Sequence, residues 1–344
     1  MSQVLPGPSR VAPAAGASRP PEHFTSAWLA RRIRELIGSP LRELQLCVAF
    51  SGGADSTALL AALAALRARH RVEVRAVHIN HHLQPAARAM ARAARESARR
   101  LGVRCEVIDA PVRVARGESP EAAARAVRYA ALRGQLRSGE WLLLAQHQDD
   151  QVESLLLQLL RGAGVAGLAA MPEKAGATLR PLLPIARAEL VAWLRRRRTV
   201  WVEDPSNLDE RHARNFLRLK IVPLLRERWP GIGVTLSRSA ALAAEAQQLL
   251  EAGADAALAD AVDGAALRVS VLRRLDPAER RNALRRWLQL RGLPMPDQRR
   301  LLELTGPLLR ARHDAHPFIR WPGARVSRQG DRLHATAEAR PTII

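Results

Sequence analysis

What most restricts the fold of this chain is an alternation running from residue 44 to residue 145, in which short apolar runs are separated by longer amphipathic stretches. Residues 44–50, 72–79, 103–108 and 141–145 read as strands, and 57–69, 85–101 and 120–137 as helices. The last of these helices has Ser119 as its cap and Pro120 at its first position. Strands that alternate with helices of this length predict an α/β fold, a doubly wound, mostly parallel sheet covered on both faces. Ligands of such sheets sit beyond the carboxyl ends of the strands, so the residues there are the first candidates for chemistry.

After about residue 170 the pattern changes. A proline-marked segment, 180–184, leads to a short helix and to residues 201–207. The apolar spacing is then helical over 235–309, with breaks near Gly264, Pro277 and residues 294–296. Between Arg273 and Arg312 stand 11 arginines and four acidic residues, which predicts a smaller, mostly helical domain with a basic face. Residues 317–335 alternate loosely and predict a short hairpin. The expected division is a disordered lead-in over 1–22, a catalytic α/β domain over 23–215, and a helical, basic domain over 216–344 ending in a short β segment.

Charge indicates the kind of partner. Lys and Arg number 54 against 33 Asp and Glu, a net charge of +21, whose natural counterpart is a polyanion. No run approaches the roughly 18 uninterrupted apolar residues of a membrane helix, and the first 21 residues lack the apolar core of a secretory signal. The expectation is a cytoplasmic protein with no membrane segment. The two cysteines, Cys47 and Cys105, lie far apart within apolar runs, which excludes a zinc cluster and a disulfide framework.

The sharpest local signal is Ser51-Gly52-Gly53-Ala54-Asp55-Ser56, directly after a strand and directly before a helix. The glycines allow a tight turn that points N–H groups inward, and the helix amino terminus adds positive potential, an arrangement that holds phosphate. Ser51 and Ser56 add hydroxyl donors. Asp55 would be repelled by a bare phosphate, so it implies a metal ion bridging carboxylate and phosphate. No Gly-Lys-Ser/Thr follows, so this is not a Walker A loop.

The loop matches the SGGxDS motif and resembles the PP-loop ATP pyrophosphatases, which cleave ATP between its α- and β-phosphates and adenylate an oxygen. Further motifs narrow the resemblance. His78-Ile79-Asn80-His81-His82-Leu83 ends the second strand, Glu121 to Tyr129 lies on the third helix, and Gln146-His147-Gln148-Asp149-Asp150-Gln151-Val152-Glu153-Ser154 ends the fourth strand. Leu160-Arg161-Gly162-Ala163-Gly164, Trp201-Val202-Glu203-Asp204-Pro205-Ser206-Asn207 and Arg214-Asn215-Phe216-Leu217-Arg218 follow. Together, over roughly residues 44 to 330, they resemble the tRNA(Ile)-lysidine synthase family.

The resemblance implies a ligase that uses ATP and Mg²⁺ to attach L-lysine to the wobble cytidine of a CAU-anticodon isoleucine tRNA, with AMP and pyrophosphate released. It assigns Ser51, Gly52, Gly53, Ala54, Asp55, Ser56, His78 and His147 to the nucleotide. Asp149, Asp150 and Glu153, at spacings of three and four on a helix start, would hold Mg²⁺ or the lysine amine, with Asp55 and Asp150 as the metal pair. Arg125 and Arg128, one turn apart, would clamp phosphate or the charge developing on the adenylated base. Arg214, Asn215 and Arg218, with Arg211 in the same row, would contact the tRNA or its adenylate, while the run 195–198 is a solvated basic face. A homodimer is compatible with the sequence.

Two positions depart from the family pattern. Gln84 follows Leu83 where the family commonly has Arg, and Gln146 stands where it often has a histidine. Longer members carry a further carboxyl-terminal domain, and the sequence ending soon after His334 implies that this domain is missing or reduced. The competing readings are a thiolating PP-loop enzyme, which would need reactive cysteines near the site, an amidating synthetase, which would need a glutaminase, and a non-catalytic basic RNA-binding module.

Overall fold

The computed structural model describes residues 24–80, 87–111, 120–203, 205–312 and 314–338. The expected lead-in over 1–22, the motif residues His81, His82 and Leu83 with Gln84, and the Ser119 cap lie outside the described residues. The chain divides into two units, Met1–Leu157 with Met171–Ser237, and Gln158–Ala170 with Arg238–Ile344.

The first unit opens with α1 (Ser26–Ile37), which the alternation did not announce. Thr25 caps it by accepting from Trp28 N, Gly38 ends it at φ +79°, and Trp28, Leu29, Ala30 and Ile33 are buried. The alternation then unfolds as expected: β1 (Gln45–Ala49), α2 (Ala54–His70), β2 (Glu73–Asn80), α3 (Ala87–Arg100), β3 (Cys105–Asp109), α4 (Pro120–Gly134) and β4 (Glu140–Leu143). Next come α5 (Gln148–Leu160), α6 (Val165–Leu168), β5 (Lys174–Ala175), β6 (Thr178–Leu179) and α7 (Arg187–Arg196). The strand order is β3-β2-β1-β4-β6-β5. Every pairing is parallel except that of β5 with β6.

That order fixes the site. From β1 the chain winds outward through β2 and β3 and then returns to the other side of β1 as β4, so the winding reverses between β1 and β4. A crevice opens at the carboxyl ends of strands at such a reversal. β1 is buried on both faces. Leu46 and Val48 pack with Leu59, Leu63, Ile33 and Leu194 on one side, and Cys47 packs with Val77, Leu132, Leu142 and Leu144 on the other. This is why parallel strands read as continuous apolar runs.

Beyond α7 lie α8 (Ala213–Phe216), a π-helical turn (Leu217–Ile221) and α9 (Val222–Arg228), one continuous rod. The long α10 (Ile232–Ala261) follows, with β7 (Val262–Asp263), β8 (Ala266–Arg268), α11 (Val269–Arg274), α12 (Pro277–Leu290), α13 (Gln298–Thr305), α14 (Pro307–Arg310), β9 (Phe318–Trp321), β10 (Ala324–Gln329) and β11 (Arg332–Ala337).

The second unit corrects two expectations. The break at Gly264, at φ +61°, is the turn of a β-hairpin, and residues 317–335 form part of a five-stranded antiparallel sheet, ordered β7-β8-β11-β10-β9, in place of an isolated hairpin. Strands of two and three residues are too short to show a period. The basic stretch is also only partly a surface. Arg273 Nε donates to Leu309 O at 2.9 Å, and Arg280 donates to Leu272 O and Leu275 O at 2.9 and 2.8 Å. The buried Arg328 donates to Leu309 O and Ala311 O at 2.7 Å each. These guanidiniums satisfy carbonyls at helix ends.

Candidate functional site

The loop between β1 and α2 is built as its residue types require. Gly52 sits at φ +86°, where a side chain would be strained, although a Cβ there would meet Ala94 of α3 at an ordinary contact distance of 3.5 Å. Ser51 Oγ lies 3.0 Å from Ser56 Oγ and accepts from Gly53 N at 3.3 Å, while Ser56 Oγ donates to Gly53 O at 3.1 Å. Val202 N donates to Gly52 O at 2.9 Å and ties the loop to the segment after α7. No side chain caps α2, whose N-cap is Gly53. Its first-turn N–H groups therefore meet whatever enters the loop.

Asp55, in that first turn, faces the start of α5. His147, only 1% exposed, places Nε2 3.4 Å from both Asp55 Oδ2 and Asp150 Oδ2, and Nδ1 3.6 Å from Asp149 Oδ2. Burial pushes the His147 ring down, but Asp150 and Asp55 outweigh it and hold its pKa above the usual value. Burial likewise pushes the Asp55 carboxyl up, and His147, Arg187 and Arg218 together hold it below the usual range. Asp150 also accepts from His147 N at 3.1 Å and from Arg218 Nη2 at 2.9 Å.

Asp149 is turned elsewhere. It accepts from Arg187 N at 2.7 Å at the start of α7 and pairs with Arg226 of α9. Glu153, also 1% exposed, receives both arms of Arg218: Nε to Oε1 at 2.6 Å and Nη2 to Oε2 at 2.9 Å. Burial pushes Glu153 up against the pull of that guanidinium. Arg214 donates to Ser154 Oγ at 2.8 Å, and Asn215 Nδ2 donates to Asp209 O at 2.9 Å. The expected row thus divides: Arg214 and Arg218 turn onto α5, Asn215 braces the preceding loop, and Arg211 pairs with Asp209 at the surface.

A cavity of about 400 Å³ joins these groups, and Phe50, Ser51, Asp55, Ser56, His78, Arg125, Arg128, Asp150 and Arg214 all line it. His78 bonds Phe50 O through Nδ1 at 2.9 Å, and burial holds its pKa below the usual value, so the neutral ring leaves Nε2 free to accept. Arg125 stacks on the Tyr129 ring at 5.3 Å, and Gln146 Nε2 donates to the Tyr129 hydroxyl at 3.0 Å. His147 does not line the cavity; it stands behind the two carboxylates that do. Sequence reasoning missed Arg187, Arg226 and the wall role of Tyr129 and Gln146. Both wall residues stand inside the quoted motifs, whereas nothing in the sequence marks Arg187 or Arg226.

Asp55 and Asp150 suit a magnesium ion bound together with phosphate. Asp55 Oδ1 is buried and accepts no hydrogen bond, with only Arg187 Nε nearby at 3.3 Å. Among the described residues, no three His, Cys, Asp or Glu form a metal cage. Neither cysteine lines the cavity, and burial pushes the Cys47 and Cys105 thiols up to about 12 and about 11, far from reactive thiolates.

Comparisons with known proteins identify the family. Residues 26–225 match the PP-loop domain family, and residues 267–334 match the TilS substrate binding domain. The chain is 48% identical over 292 residues to tRNA(Ile)-lysidine synthase of Alkalilimnicola ehrlichii, covering 84% of this chain and 66% of that protein. It is 44% identical over 294 residues to the enzyme of the same name from Methylococcus capsulatus, with 83% and 67% covered. The chain thus spans about two thirds of the length of these relatives. Among solved structures, the U34-tRNA thiolase NcsA of Methanococcus maripaludis superposes with a TM-score of 0.53 at 16% identity, over 62% of this chain and 76% of that one, a likeness of fold.

Proposed function

Because this chain belongs to the tRNA(Ile)-lysidine synthase family, we propose that it joins L-lysine to C2 of the wobble cytidine in a CAU-anticodon isoleucine tRNA at the expense of ATP. The observation that carries the reading is the cavity at the β1/β4 reversal. Its lining combines a phosphate-type loop with Asp55, the carboxylate of Asp150, and the two cations Arg125 and Arg128.

In this reading the loop N–H groups and Ser51 and Ser56 bind the ATP phosphates, and His78 offers an acceptor to the nucleotide. Cytidine O2 attacks the α-phosphate and pyrophosphate leaves. The lysine ε-amine then attacks C2, loses a proton, and the C2–O bond breaks to release AMP. Bound Mg²⁺ would neutralise phosphate charge beside Asp55 and Asp150. Arg125 and Arg128 stabilise charge building on the base and phosphate. Arg218 holds Asp150 on the cavity wall, with Glu153 buried behind it, and the Asp150 carboxylate is proposed to meet the lysine ammonium group. Asp149, engaged by Arg187 and Arg226, serves that wall by fixing the start of α5. Arg214 and Asn215 are proposed to meet the tRNA.

The domain division follows the same reading: catalysis within 23–215, and tRNA binding from the basic, helical 216–344. Among the described residues no helix is long and apolar enough to cross a membrane; the cytoplasmic location we infer rests on the tRNA substrate. A thiolation reading is disfavoured by the absence of cysteine from the cavity lining.

The deciding experiment is ATP- and Mg²⁺-dependent incorporation of labelled L-lysine into an unmodified CAU-anticodon isoleucine tRNA transcript, with a methionine tRNA as control. Label in the isoleucine tRNA alone supports the proposal. Pyrophosphate release without label in either would keep adenylation and overturn the lysine assignment.

A further inference from the structure

The sheet of the second unit has one covered face and one open face, and the two differ in chemistry. Ile319, Trp321, Val326 and Leu333 point inward into the core of that unit. Because side chains alternate along a strand, their neighbours point outward. The register sets Phe318 beside Ser327, and Ser327 beside His334. One rung away it sets Arg320 beside Arg325, and Arg325 beside Thr336. The open face is therefore a small rectangle with an aromatic ring, an imidazole and two guanidiniums.

Three features set it apart from an ordinary solvated sheet face. Phe318 is 50% exposed, large for an aromatic ring on a sheet surface. The Arg325 guanidinium lies over it at 4.1 Å, and Arg325 Nε is shut off from water with no acceptor. Among the described residues no carboxylate pairs with Arg320 or Arg325, whereas Arg332 on the same sheet pairs with Asp263 at 2.8 Å. Arg273, Arg280 and the buried Arg328 of this unit are occupied by helix-end carbonyls, whereas Arg320 and Arg325 keep their charge beside the exposed ring.

We propose that this open face is an RNA-binding platform on which Phe318 stacks an unpaired base of the tRNA substrate while Arg320 and Arg325 hold the flanking phosphates. The inference deepens the proposed function and rests on tRNA being the substrate. An exposed ring has a partner in any base because every base has a π-face. Adjacent unpaired guanidiniums match the backbone on either side of a splayed base. Their closeness on one rung is repulsive without an anion and favourable with one.

The test compares full-length wild type with F318A, F318Y and R320A/R325A, in direct binding to three probes: a CAU-anticodon tRNA transcript, a single-stranded oligonucleotide and a blunt RNA duplex. Phe318 is on an edge strand and half exposed, so F318A is expected to keep the wild-type melting temperature, and F318Y checks this by retaining binding. F318A should bind the transcript and the single strand roughly tenfold more weakly at every salt concentration, with little effect on the duplex. R320A/R325A should lower the slope of log affinity against log salt by roughly one to two. In turnover, F318A should raise KM for tRNA and leave KM for ATP unchanged. F318A binding equal to wild type, or an equal loss on the duplex, would overturn the platform. Loss of lysine incorporation by wild type itself would instead overturn the proposed function, and the binding arms would still decide the platform.

Discussion

Arg218 and Glu153, 65 residues apart in sequence, are joined by two hydrogen bonds of 2.6 and 2.9 Å, with the carboxylate buried and the guanidinium also bonded to Asp150. Removing the cation leaves a buried carboxylate whose remaining cation, Arg214, is 3.7 Å away and makes no hydrogen bond to it. R218A is therefore expected to lose about 3 kcal/mol of stability at neutral pH, and less in acid, where burial lets Glu153 protonate. Adding E153Q should restore much of the stability. If Arg218 also orients Asp150, R218A/E153Q regains the melting temperature but not turnover, and calorimetry with a tRNA-dependent assay separates the two effects.

Gly52 is required by geometry as well as by the absence of a side chain. G52A places a Cβ at φ +86° beside Ala94 and should cost about 1–2 kcal/mol, seen as a drop in melting temperature. ATP affinity should fall more steeply than that loss suggests, because the loop N–H groups move with the backbone. Titration calorimetry with ATP checks this, and unchanged affinity would refute the role of the turn.

D55N and D150N each remove a negative charge from the same imidazole. Both should lower turnover at least a hundredfold and move the Mg²⁺ concentration needed for half-maximal activity upward. Binding of tRNA should be nearly unchanged, since neither carboxylate attracts a polyanion. Chelation of divalent metal should abolish wild-type turnover, and addition of Mg²⁺ should restore it.

A pH effect is expected far from the site. Glu140, at the start of β4, is paired with Arg75 of β2 by bonds of 2.6 Å to both oxygens and also accepts from Arg137 N at 3.0 Å. Burial pushes the Glu140 carboxyl up, and these donors outweigh it and hold it below the usual carboxylate range. A carboxyl with a lowered pKa in the folded state adds stability above its unfolded value, near 4.3. That stability is lost as pH falls through the folded value. E140Q should therefore unfold more easily than wild type from neutral pH down to about 5, and the gap should close in stronger acid, as measured by urea unfolding across pH.

Much of the first unit was legible in the chain. Parallel strands buried on both faces must be apolar throughout, so β1 to β4 announce themselves, and Ser51 to Ser56 name their chemistry by type and spacing. α1 was not legible, because a capped amphipathic helix lying before the first strand breaks no pattern. Nor were the short strands β5 to β8, which carry too few residues for a period.

For the site, residue types identified the participants and the fold assigned their duties. Sequence alone determined that there would be a doubly wound sheet, a phosphate-type turn after its first strand and carboxylates after its fourth, since local backbone demands and hydrophobic period suffice for that. Tertiary structure alone decided that His147 stands behind Asp55 and Asp150, that Asp149 faces α7 and α9, and that Arg218 is committed to Glu153. The reason is physical. A helix start presents three carboxylates within one turn, and which one meets a cation, an imidazole or an open cavity depends on what distant segments bring against it. Arg187, Arg218 and Arg226 arrive from 38 to 77 positions further along the chain, where no local pattern records their destination.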